Sequence, residues 1–260
     1  MLLAVQAPLV PGADLAAKWE TASRLGFDAL ELAGGDMLAL AQEALADGIP
    51  VSALCGGQRG APIHPERERI GEFLADSGPL LEAAAALGAP VIVVPVFGYS
   101  NHLPPHASTG RSVAEDTALF ETGLRELASL AEQHGAELLV EPLNRYETPV
   151  CNTVAEARAF AAALDSPRAA PMADVFHMQI EEVDPIATLA REGAALGYVH
   201  LADSNRLEPG RGHTDFAAVV AALATVGYDG HLGLECRLST PGEETLGRVA
   251  ALLRNLVVAV

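Results

Sequence analysis

Short apolar runs alternate with longer stretches of helical period from one end of the chain to the other. The runs fall at 2–6, 29–32, 51–55, 91–95, 137–141, 170–174, 198–201 and 231–235. Each is short, often β-branched, and bounded by Gly, Pro or polar residues. Near-continuous apolar character over so few residues is what a parallel strand covered on both faces requires. Between them the 3.6-residue period predicts helices at 14–25, 66–87, 115–134, 153–164, 184–192, 215–226 and 243–256. Asp14 and Asp215 are N-cap residues by type and place, and Thr153 with Glu156 three positions on is a capping-box pair. Gly26, Gly88, Gly135, Gly193 and Gly227 follow helix ends, where a left-handed residue closes the last turn.

These runs and periods repeat as eight strand–helix units, seven of them with a helix of clear period, without a linker, low-complexity tract or change of composition between them. Strand–helix alternation implies parallel strands. Eight units in 260 residues match the usual size of one closed barrel, about 250 residues. The expectation is therefore α/β: a single (β/α)8 TIM barrel over residues 1–260. A dinucleotide-binding reading fails because no GxGxxG follows the first strand; Gly34-Gly35 and Gly56-Gly57 read as turns.

Composition narrows the function. Half the residues are hydrophobic, with few aromatics and a formal net charge of -18. So acidic a surface repels phosphate backbones and anionic lipid, so neither nucleic acid nor membrane is an expected partner. Lys18 is the only lysine and sits in the first helix, which leaves Schiff-base chemistry without a nucleophile at a strand end. Cys55, Cys151 and Cys236 are too few and too scattered for a disulfide framework. The apolar start lacks a basic flank and is soon broken by Pro8 and Pro11, so it predicts a strand rather than a signal peptide. A cytoplasmic location is expected.

Barrel active sites form where strands end and βα loops begin. Four consecutive strands end in Glu141, Asp174, His200 and Glu235. One polar residue at a strand exit means little. Three carboxylates converging on one barrel mouth, beside an imidazole, repel one another unless a cation lies between them. Carboxylate-rich ligation suits a hard to borderline divalent ion, Mn²⁺ first and then Mg²⁺ or Co²⁺; Zn²⁺ usually takes more nitrogen or sulfur. The loops that follow these residues are dense in hydrogen-bonding groups, as a polyhydroxylated ligand requires.

The segments 141–147 (EPLNRYE), 174–182 (DVFHMQIEE), 200–212 (HLADSNRLEPGRG) and 230–235 (GHLGLE) resemble the ketose 3-epimerases of the D-tagatose 3-epimerase type. These belong to the wider sugar phosphate isomerase/epimerase, xylose isomerase-like barrel superfamily. The resemblance spans most of the chain and is sharpest from 137 to 235; the stretch after Glu235 departs from that type. It implies that Glu141, Asp174, His200 and Glu235 hold a divalent metal ion. It also implies that Glu141 and Glu235 form the acid/base pair on opposite faces of a sugar, and that Glu147, His177 and Arg206 contact the substrate near its carbonyl, with Cys55 lining the pocket farther along. The activity implied is inversion at C3 of a ketose through an enediolate stabilised by the metal, with one carboxylate removing the α-proton and the other returning it. Dimers or tetramers are implied by analogy with the superfamily alone.

Other readings share the same residues. An inosose-type dehydratase or a hydroxypyruvate-type isomerase would use the same metal site and the same α-proton abstraction. An endonuclease IV-like nuclease needs more histidines and a basic groove. A sugar-binding barrel without catalysis would not need two opposed carboxylates. His64, His102, His106 and His134 read as loop or surface residues, His213 as a loop residue or a support to the site, and His231 as structural. Trp19 reads as core or interface. Arg59, after the third strand, is either a phosphate contact or solvated.

Overall fold

The computed structural model describes residues 1–64, 66–96 and 109–260; His102 and His106 lie outside them. Eight parallel strands close into a barrel in chain order, each hydrogen-bonded to the next and β8 to β1. They are β1 (Leu2–Gln6), β2 (Ala29–Ala33), β3 (Val51–Cys55), β4 (Val91–Val93), β5 (Leu138–Val140), β6 (Ala169–Asp174), β7 (Tyr198–Leu201) and β8 (His231–Leu234). Around them lie α1 (Leu15–Leu25), α2 (Met37–Asp47), α3 (Arg67–Leu87), α4 (Val113–His134), α5 (Val154–Ala162), α6 (Val175–Glu181), α7 (Pro185–Glu192), α8 (Phe216–Thr225) and α9 (Glu243–Val258).

Successive strand residues face opposite ways, and the two faces build two cores. Outward residues such as Leu3, Val5, Leu30, Leu32, Val140, Val199 and Leu234 pack against the helices in one continuous cluster. Inward residues Ala53, Ile92, Leu139, Met172 and Tyr198 form a second, smaller cluster inside the barrel. The interior is not wholly apolar: Glu31 and His200 are fully buried there too.

Local signals explain most helix ends. The Asp14, Asp184 and Asp215 carboxylates accept from the third helical N–H of α1, α7 and α8, and Thr153 and Glu156 cap α5 reciprocally. Two helices carry no clear apolar period. The α2 segment is Ala- and Leu-rich on most sides, yet Asp36 and Gly48 cap it as their types allow. The α6 helix starts at the residue after β6 with no intervening loop, so strand and helix share Asp174 as end and N-cap. Helix α4 begins at Val113 rather than 115, because Ser112 is the N-cap and Glu115 its return partner.

Gly193 corrects the expectation of a left-handed cap. Its backbone is right-handed, φ -57° and ψ -31°, and continues into a short 3-10 turn. Its role is contact: a Cβ there would lie 2.8 Å from Val226 Cγ2 and 3.6 Å from Leu223 Cδ2. Strand β4 stops at Val93 and β8 at Leu234, so Glu235, like Glu141 after β5, sits just past the last ladder residue.

Candidate metal centre

Strand alternation places Glu141, Asp174, His200 and Glu235 two residues beyond Leu139, Met172, Tyr198 and Gly233 on the same strands, facing inward at the C-terminal mouth. One ligand atom from each of the four lies within 4.8 Å of all the others. The Asp174 and His200 side chains are fully buried, Glu141 nearly so, and Glu235 is 19% exposed. Among the described residues the centre is buried below, and Glu235 is its most exposed member.

His200 stands at its middle. Nδ1 lies 3.1 Å from Glu141 Oε1 and 3.2 Å from Glu235 Oε2. Nε2, on the other edge of the ring, lies 2.8 Å from Glu31 Oε2. Burial opposes a charged imidazole, but Glu31, Glu235 and Glu141 together raise its pKa well above the ordinary value. Burial pushes the Glu141 carboxyl up, against the pull of His200. Burial resists charge on Glu235 as well, yet His200 and Arg206 hold it far below the usual carboxylate range.

Arg206 supplies the positive charge opposite. Nη1 donates to Asp174 Oδ2 and Nη2 to Glu235 Oε2, each at 2.7 Å. The guanidinium carbon sits 4.7 Å from the Phe176 ring centroid, a cation–π distance. Arg206 has φ +62°, unusual for a side-chain-bearing residue. Its backbone is held from both sides, donating to Asp203 O and accepting from Arg237 N. Left-handed strain of this kind, on the order of 1–3 kcal/mol, persists only where surroundings over-determine it.

Asp174 does three things at once. Oδ1 accepts from the backbone N–H of Phe176 and His177, capping α6, while Oδ2 takes Arg206 and faces His177 Nε2 at 3.6 Å. His177 Nδ1 accepts the Asn144 backbone N–H at 3.1 Å, which assigns the proton of the neutral ring to Nε2, toward the site. The Asn144 side chain lies 2.8 Å from the same nitrogen and donates to Glu147 Oε1 at 2.9 Å. Cys55, half-buried at the end of β3, is pushed up by burial and by Glu235, Glu31 and Glu141, so its thiol stays protonated.

The structure thus brings the four strand-end residues, Arg206 and His177 into one cluster, with Glu147 joined to it through Asn144. Outside the centre, the expectation that changes is that of a loop or surface His64. His64 is buried, its Nδ1 accepting from the Glu66 backbone N–H. Arg59 is exposed and pairs in bidentate fashion with Asp76. His213 and His134 are exposed. His231 stacks on Tyr198 at 6.0 Å, and Trp19 is half-buried against the outer core.

Sequence reasoning passed over Glu31. The signal available was a lone carboxylate inside an apolar strand, Ala29-Leu30-Glu31-Leu32. It also left Asn144 and Asp203 without roles. Asp203 is fully buried and accepts from the backbone N–H groups of Ser204, Gly210, Arg211 and Thr214, so one side chain folds the loop that carries Arg206.

The donor set fits a divalent cation. Three carboxylates and an imidazole nitrogen, which gives up its proton to an incoming ion, are hard to borderline ligands, and Arg206 offsets only part of the carboxylate charge.

Known proteins resemble this chain over most of its length. The chain is 34% identical over 227 residues to 3-dehydro-D-guloside 4-epimerase of Escherichia coli (strain K12), covering 85% of this chain and 86% of that protein. It is 30% identical over 240 residues to the ketose 3-epimerase of Arthrobacter globiformis, covering 89% and 80%. The crystal structure of apo 3-keto-D-glucoside 4-epimerase from E. coli superposes with a TM-score of 0.89 at 30% identity, over 98% of this chain and 99% of that one. The family model for the xylose isomerase-like TIM barrel matches residues 19–256, nearly the whole chain, and this protein belongs to that family.

Proposed function

We propose that this protein is a divalent-metal-dependent epimerase that inverts the carbon next to a keto group of a sugar. The observation that carries the reading is the convergence of Glu141, Asp174, His200 and Glu235 within 4.8 Å at the barrel mouth. Those four residues would hold the ion, which when bound supplies Lewis-acid stabilisation of negative charge on the two oxygens of an enediolate. Mn²⁺ is the expected ion, with Mg²⁺, Co²⁺ or Zn²⁺ as substitutes. Residues 1–260 act as one barrel domain, in the cytoplasm, with a small sugar and no nucleic acid as partner. Assembly as a dimer or tetramer is proposed by analogy.

Glu141 and Glu235 leave from strands on either side of His200 and form the acid/base pair. One takes the proton from the carbon α to the keto group; the other delivers a proton to the opposite face, which inverts the centre. Arg206, anchored on Asp174 and Glu235, and His177, with Nε2–H directed at the site, orient the sugar oxygens. Glu147 binds a hydroxyl while Asn144 holds it. Cys55, as a neutral thiol, lines the wall and does no chemistry.

Two substrate classes share this chemistry. In a ketose the carbonyl is C2 and the inverted carbon C3. In a 3-keto-glycoside the carbonyl is C3 and the inverted carbon C4. The first class fits the 200–212 segment, and the ketose 3-epimerase relative supports it. The second is favoured by the higher identity to the guloside 4-epimerase over 85% of this chain.

The test is to incubate the Mn²⁺-loaded protein with ketohexoses, ketopentoses and 3-keto-glucosides in D₂O, then remove the metal and record NMR spectra. Deuterium at C3 of a ketose, with the 3-epimer appearing, supports ketose epimerisation. Deuterium at C4 of the keto-glycoside, with the ring intact, supports the glycoside reading. Label at C1 of a ketose without C3 exchange identifies an aldose–ketose isomerase, and loss of water a dehydratase; either overturns the epimerase proposal.

A further inference from the structure

A carboxylate inside an apolar barrel is expensive unless its charge is met by donors. Glu31 is fully buried in β2, and each of its oxygens is occupied. Oε1 accepts from Gln6 Nε2 at 2.9 Å. Oε2 accepts from the Tyr198 hydroxyl at 2.9 Å and lies 2.8 Å from His200 Nε2. Because Nε2 is on the opposite edge of the ring from Nδ1, Glu31 sits behind His200, away from the mouth, where it reaches neither a substrate nor the other carboxylates.

Two further features of the barrel serve this contact. The β2–β3 ladder slips at Glu31: Leu30 pairs with Val51 but Glu31 with Ala53, so Ser52 is an extra residue on β3. Such bulges redirect side chains, often beside active sites. Ser52 Oγ lies 2.8 Å from the Tyr198 hydroxyl, whose own proton is committed to Glu31. On β8, a Cβ at Gly233 would lie 2.6 Å from Tyr198 Oη and 2.8 Å from Glu31 Oε2. The strand that leads to Glu235 therefore omits a side chain where the Glu31–Tyr198 pair needs space.

We infer that Glu31 is the positioning residue of the metal centre, holding the His200 ring by Nε2–H so that Nδ1 is presented to the ion. The inference rests on the proposed metal reading. A carboxylate behind a ligating imidazole fixes the ring and raises the donor strength of the other nitrogen, and losing it typically weakens metal binding about 10- to 100-fold.

The experiment compares metal-stripped wild type, Glu31→Gln and Tyr198→Phe. Mn²⁺ is titrated and the free ion read by EPR; Co²⁺ is added separately and its visible absorption recorded; circular dichroism checks the fold. The expected result is a rise of about 10- to 100-fold in the Mn²⁺ Kd of Glu31→Gln, a shifted Co²⁺ spectrum, and a smaller change in the same direction for Tyr198→Phe. Wild-type Mn²⁺ affinity with an unaltered Co²⁺ spectrum in folded Glu31→Gln overturns the inference, even if its melting temperature falls. If Glu31→Gln does not fold, Tyr198→Phe decides by the same two readouts. Wild type that takes up neither ion overturns the metal reading, and this inference with it, before any variant is compared.

Discussion

Glu235 is the ligand candidate whose chemistry is most open to test. Its side chain is 19% exposed while that of His200 is fully buried, and it is held by Arg206 Nη2 at 2.7 Å and His200 Nδ1 at 3.2 Å. Replacing it by Gln keeps its volume and its hydrogen-bonding reach at the rim of the barrel, so packing is spared. It removes the carboxylate proposed to take or return the proton. Glu235→Gln is expected to keep the wild-type circular dichroism spectrum and lose at least about 10²-fold in turnover, the low end for general acid–base catalysis. Turnover within a few-fold of wild type would mean that the acid/base pair lies elsewhere. The same reasoning separates Glu235 from Arg206, which is bound to two of the carboxylates and whose loss would disturb both at once.

At the level of elements, the loop after β7 is what delivers Arg206, and two buried carboxylates build it. Asp203 gathers the backbone N–H groups of its own loop. Glu208 ties that loop to the one after β8, accepting from Ser239 N at 2.7 Å, Ser239 Oγ at 2.6 Å and Arg211 Nε at 3.0 Å. A parallel bridge between Leu207 and Arg237 runs alongside. Burial raises the Glu208 pKa, but Ser239 and Arg211 overcome it and bring the carboxyl from 4.5 down to about 2. The folded state thus prefers the charged form. Its contribution to stability is complete above 4.5 and is lost as pH falls toward 2. Glu208→Gln lacks that contribution at every pH. Its melting temperature should lie below wild type at neutral pH, and the gap should narrow as pH drops through that window. A gap unchanged between neutral pH and the acid end would show that Glu208 acts through packing alone.

For the whole molecule, an ion at the proposed centre would couple ligand to fold, because residues from β5 through β8 meet only when the barrel has closed. An ion that binds this arrangement and not the unfolded chain stabilises it by mass action, about 2.7 kcal/mol at 100 times the Kd. For a chain of this size each kcal/mol moves Tm by about 2–4 °C, so saturating Mn²⁺ should raise Tm by roughly 5–11 °C over chelator-treated protein. Calorimetry before and after dialysis against a chelator measures this, and an unchanged Tm at saturating Mn²⁺ would sink the metal reading. Among the described residues no helix is long and apolar enough to cross a membrane.

Much of this is legible in the sequence alone, for a physical reason. Strand and helix periods are local, so the eight runs and their caps at Asp14, Thr153 and Asp215 follow from neighbours a few residues apart. A closed parallel barrel puts every strand end on one face, so Glu141, Asp174, His200 and Glu235 had to converge once the fold class was known. What the tertiary structure decided are pairings across the barrel. Glu31 and His200 are 169 residues apart in the chain, and their contact depends on strand register, including the slip at Ser52, which no local period encodes. The Asn144–His177–Asp174 chain depends on α6 beginning directly at the end of β6. Gly193 follows the same logic: its type suggested a left-handed cap, but its backbone is right-handed and what requires glycine there is the approach of Leu223 and Val226, which leaves no room for a Cβ. Local sequence determines which residues reach the barrel mouth; long-range register determines which of them hold one another in place.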